Sequence, residues 1–231
     1  MSELDHWFVR IDRYASVHLV RSQDQDNSCA MASLCMVNFK MKKYLMAAGL
    51  SAGAAVQAIP IPGSNWVGYQ LGRAAVRDAV RSEASVRAMY VKHKGSPHDF
   101  HTEGALRHFY PLILRDLGLG NWETVNVGQA GLAQAAIDAC AGGKCCMLSV
   151  TWNGGGGHAV VCDEVHTVFG TKLCICDPWD GELRLVSATP GSAVTYNASY
   201  RPLSFTLSGT RGEYGPAGDV GTFNGWITRR V

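Results

Sequence analysis

The chain has 231 residues, of which 47% are apolar and 17% charged, and its formal net charge is +2. That balance describes a folded protein long enough for a well-packed core, and it is too near neutral to argue for nucleic acid or an anionic surface as partner. No run approaches the roughly 18 consecutive apolar residues of a membrane span, so no membrane partner is expected.

The start, Met1 to His6, is acidic and lacks the cationic, apolar pattern of a secretory signal. Synthesis in the cytoplasm is expected, and export by a specialised system would leave no such mark. Val17-His18-Leu19-Val20-Arg21 reads as a short strand, followed by a polar turn from Ser22 to Ser28. Ala30 to Leu45 then reads as a helix, because Leu34, Val37, Met41 and Leu45 recur at three- and four-residue steps. Asn27 or Ser28 is placed to cap it, which puts Cys29 in or beside its first turn.

The Ala- and Gly-rich stretch from Ala47 to Gly63 ends in Ile59-Pro60-Ile61-Pro62-Gly63, which must break any helix. Further helices are expected over Trp66 to Arg81, Glu103 to Leu117 and Gly131 to Ala141, with a polar loop from Lys92 to His101. From there the chain turns to strands rich in Val, Ile and Cys: Cys145 to Trp152, His158 to Val165 and Lys172 to Asp177, then Glu182 to Val186 and Leu203 to Leu207. The glycine-rich tail after Gly209 has no clear pattern. A helical half followed by a β half predicts an α+β protein.

Eight cysteines without zinc-like spacing are expected to be thiols, with those in apolar strand runs acting as small hydrophobes. His93, His98, His101 and His108 form no compact ligand motif and are expected to be solvated, so neither metal nor cofactor is expected. The chemistry concentrates elsewhere. A thiol attacks a carbonyl as thiolate, and a helix N-terminus and a histidinium both favour that form. Cys29 has the first by position. His158, after Gly154-Gly155-Gly156-Gly157, would supply the second and protonate the leaving group.

Asp177 ends the next strand and is placed to orient His158, with Asp163 as the substitute. Gly157 and its neighbours let a substrate chain approach, and Trp179 would shield the His–Asp pair. Trp152 is a second candidate shield. The oxyanion would be held by the Cys29 N–H and an upstream amide, Gln23 in preference to Gln25.

Gln23, then Ser28-Cys29-Ala30-Met31-Ala32-Ser33, then Gly157-His158-Ala159-Val160-Val161, then Asp177-Pro178-Trp179 together resemble the papain-like cysteine peptidases. The closest likeness is to the bacterial branches that mature bacteriocins or act as type III effectors. The 129 residues from Cys29 to His158 lie at the edge of the family's spacing of about 130–150. Papain itself has a Cys-Gly-Ser-Cys-Trp block and an Asn in place of Asp177.

The resemblance covers about residues 17–45 and 131–186. It implies a two-lobed α+β fold in one catalytic domain over 1–231, with a helical lobe at about 22–120 and a β lobe at about 121–231. It also implies a hydrolase cleaving a peptide or isopeptide bond in a peptide or protein substrate through an acyl-thioester. Acyl transfer from the same site, transglutaminase-like or amidase chemistry, is the alternative; an inactive binding module is the third reading.

Overall fold

The computed structural model describes residues 6–198, 205–208 and 220–231. The chain opens with an antiparallel pair, β1 (Trp7–Ile11) and β2 (Val17–Arg21), and then enters α1 (Cys29–Gln57). Three helices follow, α2 (Ser64–Ala79), α3 (Glu83–Lys94) and, after a short 3-10 turn, α4 (Tyr110–Asp116). Strand β3 (Trp122–Asn126) leads into α5 (Gly128–Cys140). The rest is sheet: β4 (Cys146–Trp152), β5 (Gly157–His166), β6 (Lys172–Asp177), β7 (Glu182–Ser187), β8 (Thr195–Asn197), β9 (Phe205–Ser208) and β10 (Val220–Arg230).

The main sheet is antiparallel in the order β3-β10-β4-β5-β6-β7, with β8 beside β10, and a smaller sheet is ordered β2-β1-β9. The protein is therefore a mixed α+β fold. Helices cover both faces of the main sheet. Met147, Ala159 and Val161 share a core with Met31, Leu34 and Cys35 of α1, whereas Leu148, Val160 and Cys162 share one with Leu132 and Ala136 of α5. The two-residue strand period sends alternate side chains to opposite helices. Covered on both sides, β4 to β6 read as nearly continuous apolar runs.

The first third of α1 is buried on every side, from Ala30 to Asn38, because it lies between the sheet and the α3–α4 layer. This helix continues twelve residues beyond the expected end at Leu45, to Gln57. Ala-rich sequence favours helix, and Gly49 and Gly53 sit at close contacts with α2 rather than at breaks. The break comes at the two prolines and Gly63, whose φ is +89°.

Helix α3 was not anticipated, and its end takes in Lys92 to Lys94, while the rest of the expected loop, Gly95 to His101, is irregular. It carries its own signals: Ser82 Oγ accepts from Ser85 N, and Gly95 closes the helix at φ +72°. The helix expected from Glu103 starts only at Tyr110, with Pro111 in its first turn, where no N–H donor is needed. Strands β3 and β10, unpredicted, pair with each other at one side of the sheet. The expected strand at Leu203 to Leu207 lies partly outside the described residues.

Candidate active site

Ser28 occupies the N-cap of α1, but its hydroxyl does not cap the helix. It turns back instead, donating to Gln25 O at 2.9 Å and accepting from Gln25 N at 3.0 Å. Among the described residues no partner takes up the N–H of Cys29 or Ala30. The positive end of α1 therefore meets the sulfur with uncommitted donors. One turn on, Ser33 Oγ donates to Ala159 O at 3.1 Å, which ties α1 to the strand residue after His158. That bond sets the depth at which Cys29 stands against β5.

In β5 and β6, Val161 lies opposite Cys176. Carried to the strand ends, this register puts His158 and Asp177 on a diagonal of the same sheet face. His158 Nε2 and Asp177 Oδ1 are 2.7 Å apart. With Nε2 so engaged, Nδ1 is the nitrogen left to serve Cys29, which lines the same cleft. One imidazole is thus tied to the carboxylate and shares a cleft with the thiol. Burial by itself would lower the His158 pKa, but the Asp177 carboxylate, the bond to it and the nearby Cys29 side chain outweigh it and raise it to about 10.

Asp177 is fully buried and fully satisfied. Oδ1 also accepts from Trp179 N at 2.9 Å, while Oδ2 accepts from Tyr196 OH and lies 2.9 Å from Arg184 Nη1. Burial would raise its pKa, yet Arg184 and His158 hold the carboxyl well below the usual carboxylate range. Arg184 is itself held by Asp180 at 2.7 Å and by the Ala198 carbonyl. Two indoles enclose the imidazole: Trp152 stacks on it at 5.2 Å, and Trp179 meets it edge-on at 5.6 Å. Both keep water from the His–Asp bond.

The cleft over the sulfur is narrow, about 270 Å³, and is lined by Cys29, His158, Asn27 and Tyr110, with Gly104-Ala105 and Gly156-Gly157 on its walls. The glycines before His158 form the β4–β5 turn. Gly155 and Gly156 have φ of +93° and +88°, so conformation requires glycine there, while Gly157 is a wall residue. Of the eight cysteines, Cys29 is the one not buried, and no disulfide is formed among the described residues.

The expected Cys29, His158 and Asp177 are thus brought together, and Trp179 lies beside them. Gln23 is not placed as expected. Its two amide hydrogens go to Gln25 O at 2.8 Å and Asp26 O at 2.9 Å, leaving none for the cleft, and its Oε1 is buried without a partner. Its backbone N–H donates to Pro178 O at 2.7 Å, so it braces the loop before Cys29 against the turn after Asp177. Two side-chain amides line the cleft wall: Asn27, with one amide hydrogen on His101 O, and Asn224, with one on Thr151 Oγ1.

Asp163 points to α1 instead, 2.9 Å from Lys40 Nζ and 2.7 Å from His18 Nδ1. His98, expected in solvent, is buried between Tyr90 and Phe100 and pairs with Glu103. Arg184, Asp180 and Tyr196 were not anticipated. The one signal was a lone Arg in the apolar run of β7. No protein-family model matches the chain, and a search of curated proteins finds no relative.

Proposed function

We propose that the chain is a thiol hydrolase of papain-like type, cleaving a peptide or isopeptide bond, with residues of about 22–120 and 121–231 forming the two sides of its cleft. The observation that carries this reading is the His158 imidazole, hydrogen-bonded to the buried Asp177 carboxylate and lining one cleft with the Cys29 thiol. A cation beside the sulfur favours thiolate. Cys29 attacks the carbonyl, and the Cys29 N–H at the start of α1 stabilises the oxyanion. His158 donates its proton to the leaving amine, leaving an acyl-thioester; it then accepts a proton from the water that hydrolyses that ester. Asp177 keeps the imidazole oriented throughout.

The test is cleavage of a proteome-derived peptide library read by mass spectrometry, with iodoacetamide labelling of Cys29 followed at pH 6. Wild type should cleave, Cys29→Ala should not, and His158→Ala should slow Cys29 labelling at pH 6 by at least about tenfold. Exposure alone would make Cys29 the labelled thiol, so selectivity decides nothing. Equal labelling rates in wild type and His158→Ala would overturn the proposal.

A further inference from the structure

Residues 44–72 contain no Asp, Glu, Lys, Arg or His, in a chain that is 17% charged. In the fold they form the outer part of α1, the connection 58–63 and the first half of α2. Beyond Lys42 the only buried residue of α1 is Gly53, and α2 buries only Gly68, Gly72 and Ala79. The two helices meet through these glycines. A Cβ on Gly53 would stand 2.6 Å from Gly68 O, and one on Gly68 would stand 2.3 Å from Gly53 O.

Gly53 therefore packs backbone against backbone with Gly68 and Gly72, while Gly49 meets the Ala75 methyl, a close approach that suits helices in lipid. A water-facing helical hairpin does the reverse and buries its large side chains in the seam. Here Tyr44, Leu45, Ile61, Trp66, Tyr69 and Leu71 are all exposed, by 45% to 75%. An apolar surface of this extent marks a binding face.

Much of the tip's backbone is satisfied internally. Pro60 and Pro62 have no N–H, Ile59 N donates to Val56 O, Ile61 N to Ile59 O and Ser64 N to Ile61 O, and Ser64 Oγ donates to Ile59 O. That leaves the N–H groups of Gly63, Asn65 and Trp66 without a backbone partner among the described residues, at the end that would enter the leaflet. Charge returns abruptly at the base. Arg73 and Arg77 stand exposed one turn apart on α2, and Lys43 lies beside the Lys42–Asp78 pair on α1.

The dimensions agree with a shallow insertion. Tyr44 to Gln57 spans about 21 Å and Ser64 to Gly72 about 14 Å, against roughly 15 Å for half of a bilayer's hydrocarbon core. No helix of the described residues is long and apolar enough to cross a membrane.

We propose that the α1–α2 hairpin inserts its uncharged tip into one leaflet of a bilayer bearing anionic headgroups, with Lys43, Arg73 and Arg77 at headgroup level. This does not rest on the proposed hydrolase activity, and it departs from the expectation of no membrane partner, which weighed the net charge of the whole chain and continuous apolar runs. Cys29 begins the same helix whose far end carries the tip, so the cleft would stand about 40 Å from the insertion point.

The test is flotation of the full chain with vesicles of phosphatidylcholine and phosphatidylglycerol, and with phosphatidylcholine alone. Wild type and Cys29→Ala should float with the anionic vesicles and much less with the neutral ones. Ile61→Asp combined with Trp66→Asp should lower the bound fraction at least about tenfold, with far-UV circular dichroism unchanged. Brominated lipid should quench a fluorescence component that Trp66→Phe removes.

Failure of wild type to float would overturn the proposal, as would equal flotation of the double variant or equal binding to neutral vesicles. A wild-type dimer that ignores vesicles and becomes monomeric in the double variant would assign the face to a second copy of the chain.

Discussion

Replacing Asp177 with Asn tests the electrostatics of the site without a known substrate. The His158 pKa is raised from 6.5 to about 10 against the pull of burial, chiefly by Asp177. A shift of that size corresponds to something on the order of 5 kcal/mol between the two protonation states. The raised histidine contributes its full stability below about pH 6.5, and that contribution is lost as the pH climbs toward 10. Between pH 7 and 9 the native state of wild type holds a proton that the unfolded chain has released. Stability attributable to His158 should therefore fall by about 1.4 kcal/mol per pH unit.

In Asp177→Asn the carbonyl can still accept a hydrogen bond, but the counter-charge is gone and burial pushes the imidazole pKa down. His158 is then neutral at pH 7, its slope over pH 7 to 9 disappears, and stability falls on acidification through about pH 6.5 instead. The assay is urea unfolding at half-unit pH steps, with the variant's stability subtracted from wild type. Subtraction removes the shared titrations of Glu83, raised by burial to about 7, and of buried thiols such as Cys145, pushed up by burial. Parallel curves for the two proteins between pH 7 and 9 would refute the reasoning.

Arg184→Met should cost about 3–5 kcal/mol in urea unfolding at pH 7, because it leaves Asp177 and Asp180 buried without their shared cation; a loss below about 1 kcal/mol would show that the guanidinium anchors nothing. Gln23→Ala should cost about 1–3 kcal/mol, since Asp26 O loses its donor while Gln25 O keeps those from Ser28. An oxyanion role for Gln23 would instead lower kcat about 10²- to 10³-fold on a substrate found in the peptide library, at little cost in stability.

The parts of the site that could be read in the sequence were those whose local chemistry announces them. Cys29 follows a capping residue and opens a periodic helix. His158 follows a glycine turn whose positive φ angles leave glycine little alternative. The strand limits of β6 and β4 were also visible, since β-branched and thiol side chains end abruptly at Gly, Asn and Asp-Pro. Spacing of 129 residues made Cys29 and His158 candidates for one site, but it carried no geometry.

Partners fixed by the path of the backbone were not legible. Gln23 looked like a free amide because nothing in its neighbourhood says that Gln25 O and Asp26 O turn inward to take its hydrogens. Arg184 looked like an ordinary strand residue, since the carboxylates that justify its burial come from the end of β6 and the turn after it, and Tyr196 and Ala198 come from a segment after β7.

Sequence by itself determined where helix and strand chemistry reside, which thiol sits at a helix start and which imidazole begins a strand, because propensity, period and turn residues act over a few positions. Only tertiary structure decided that Ser33 docks α1 on β5, that Asp163 serves Lys40 rather than His158, and that α2 buries its glycines and exposes Trp66. Those outcomes depend on sheet register and helix approach, which are set by burial summed over the whole core and have no local signature.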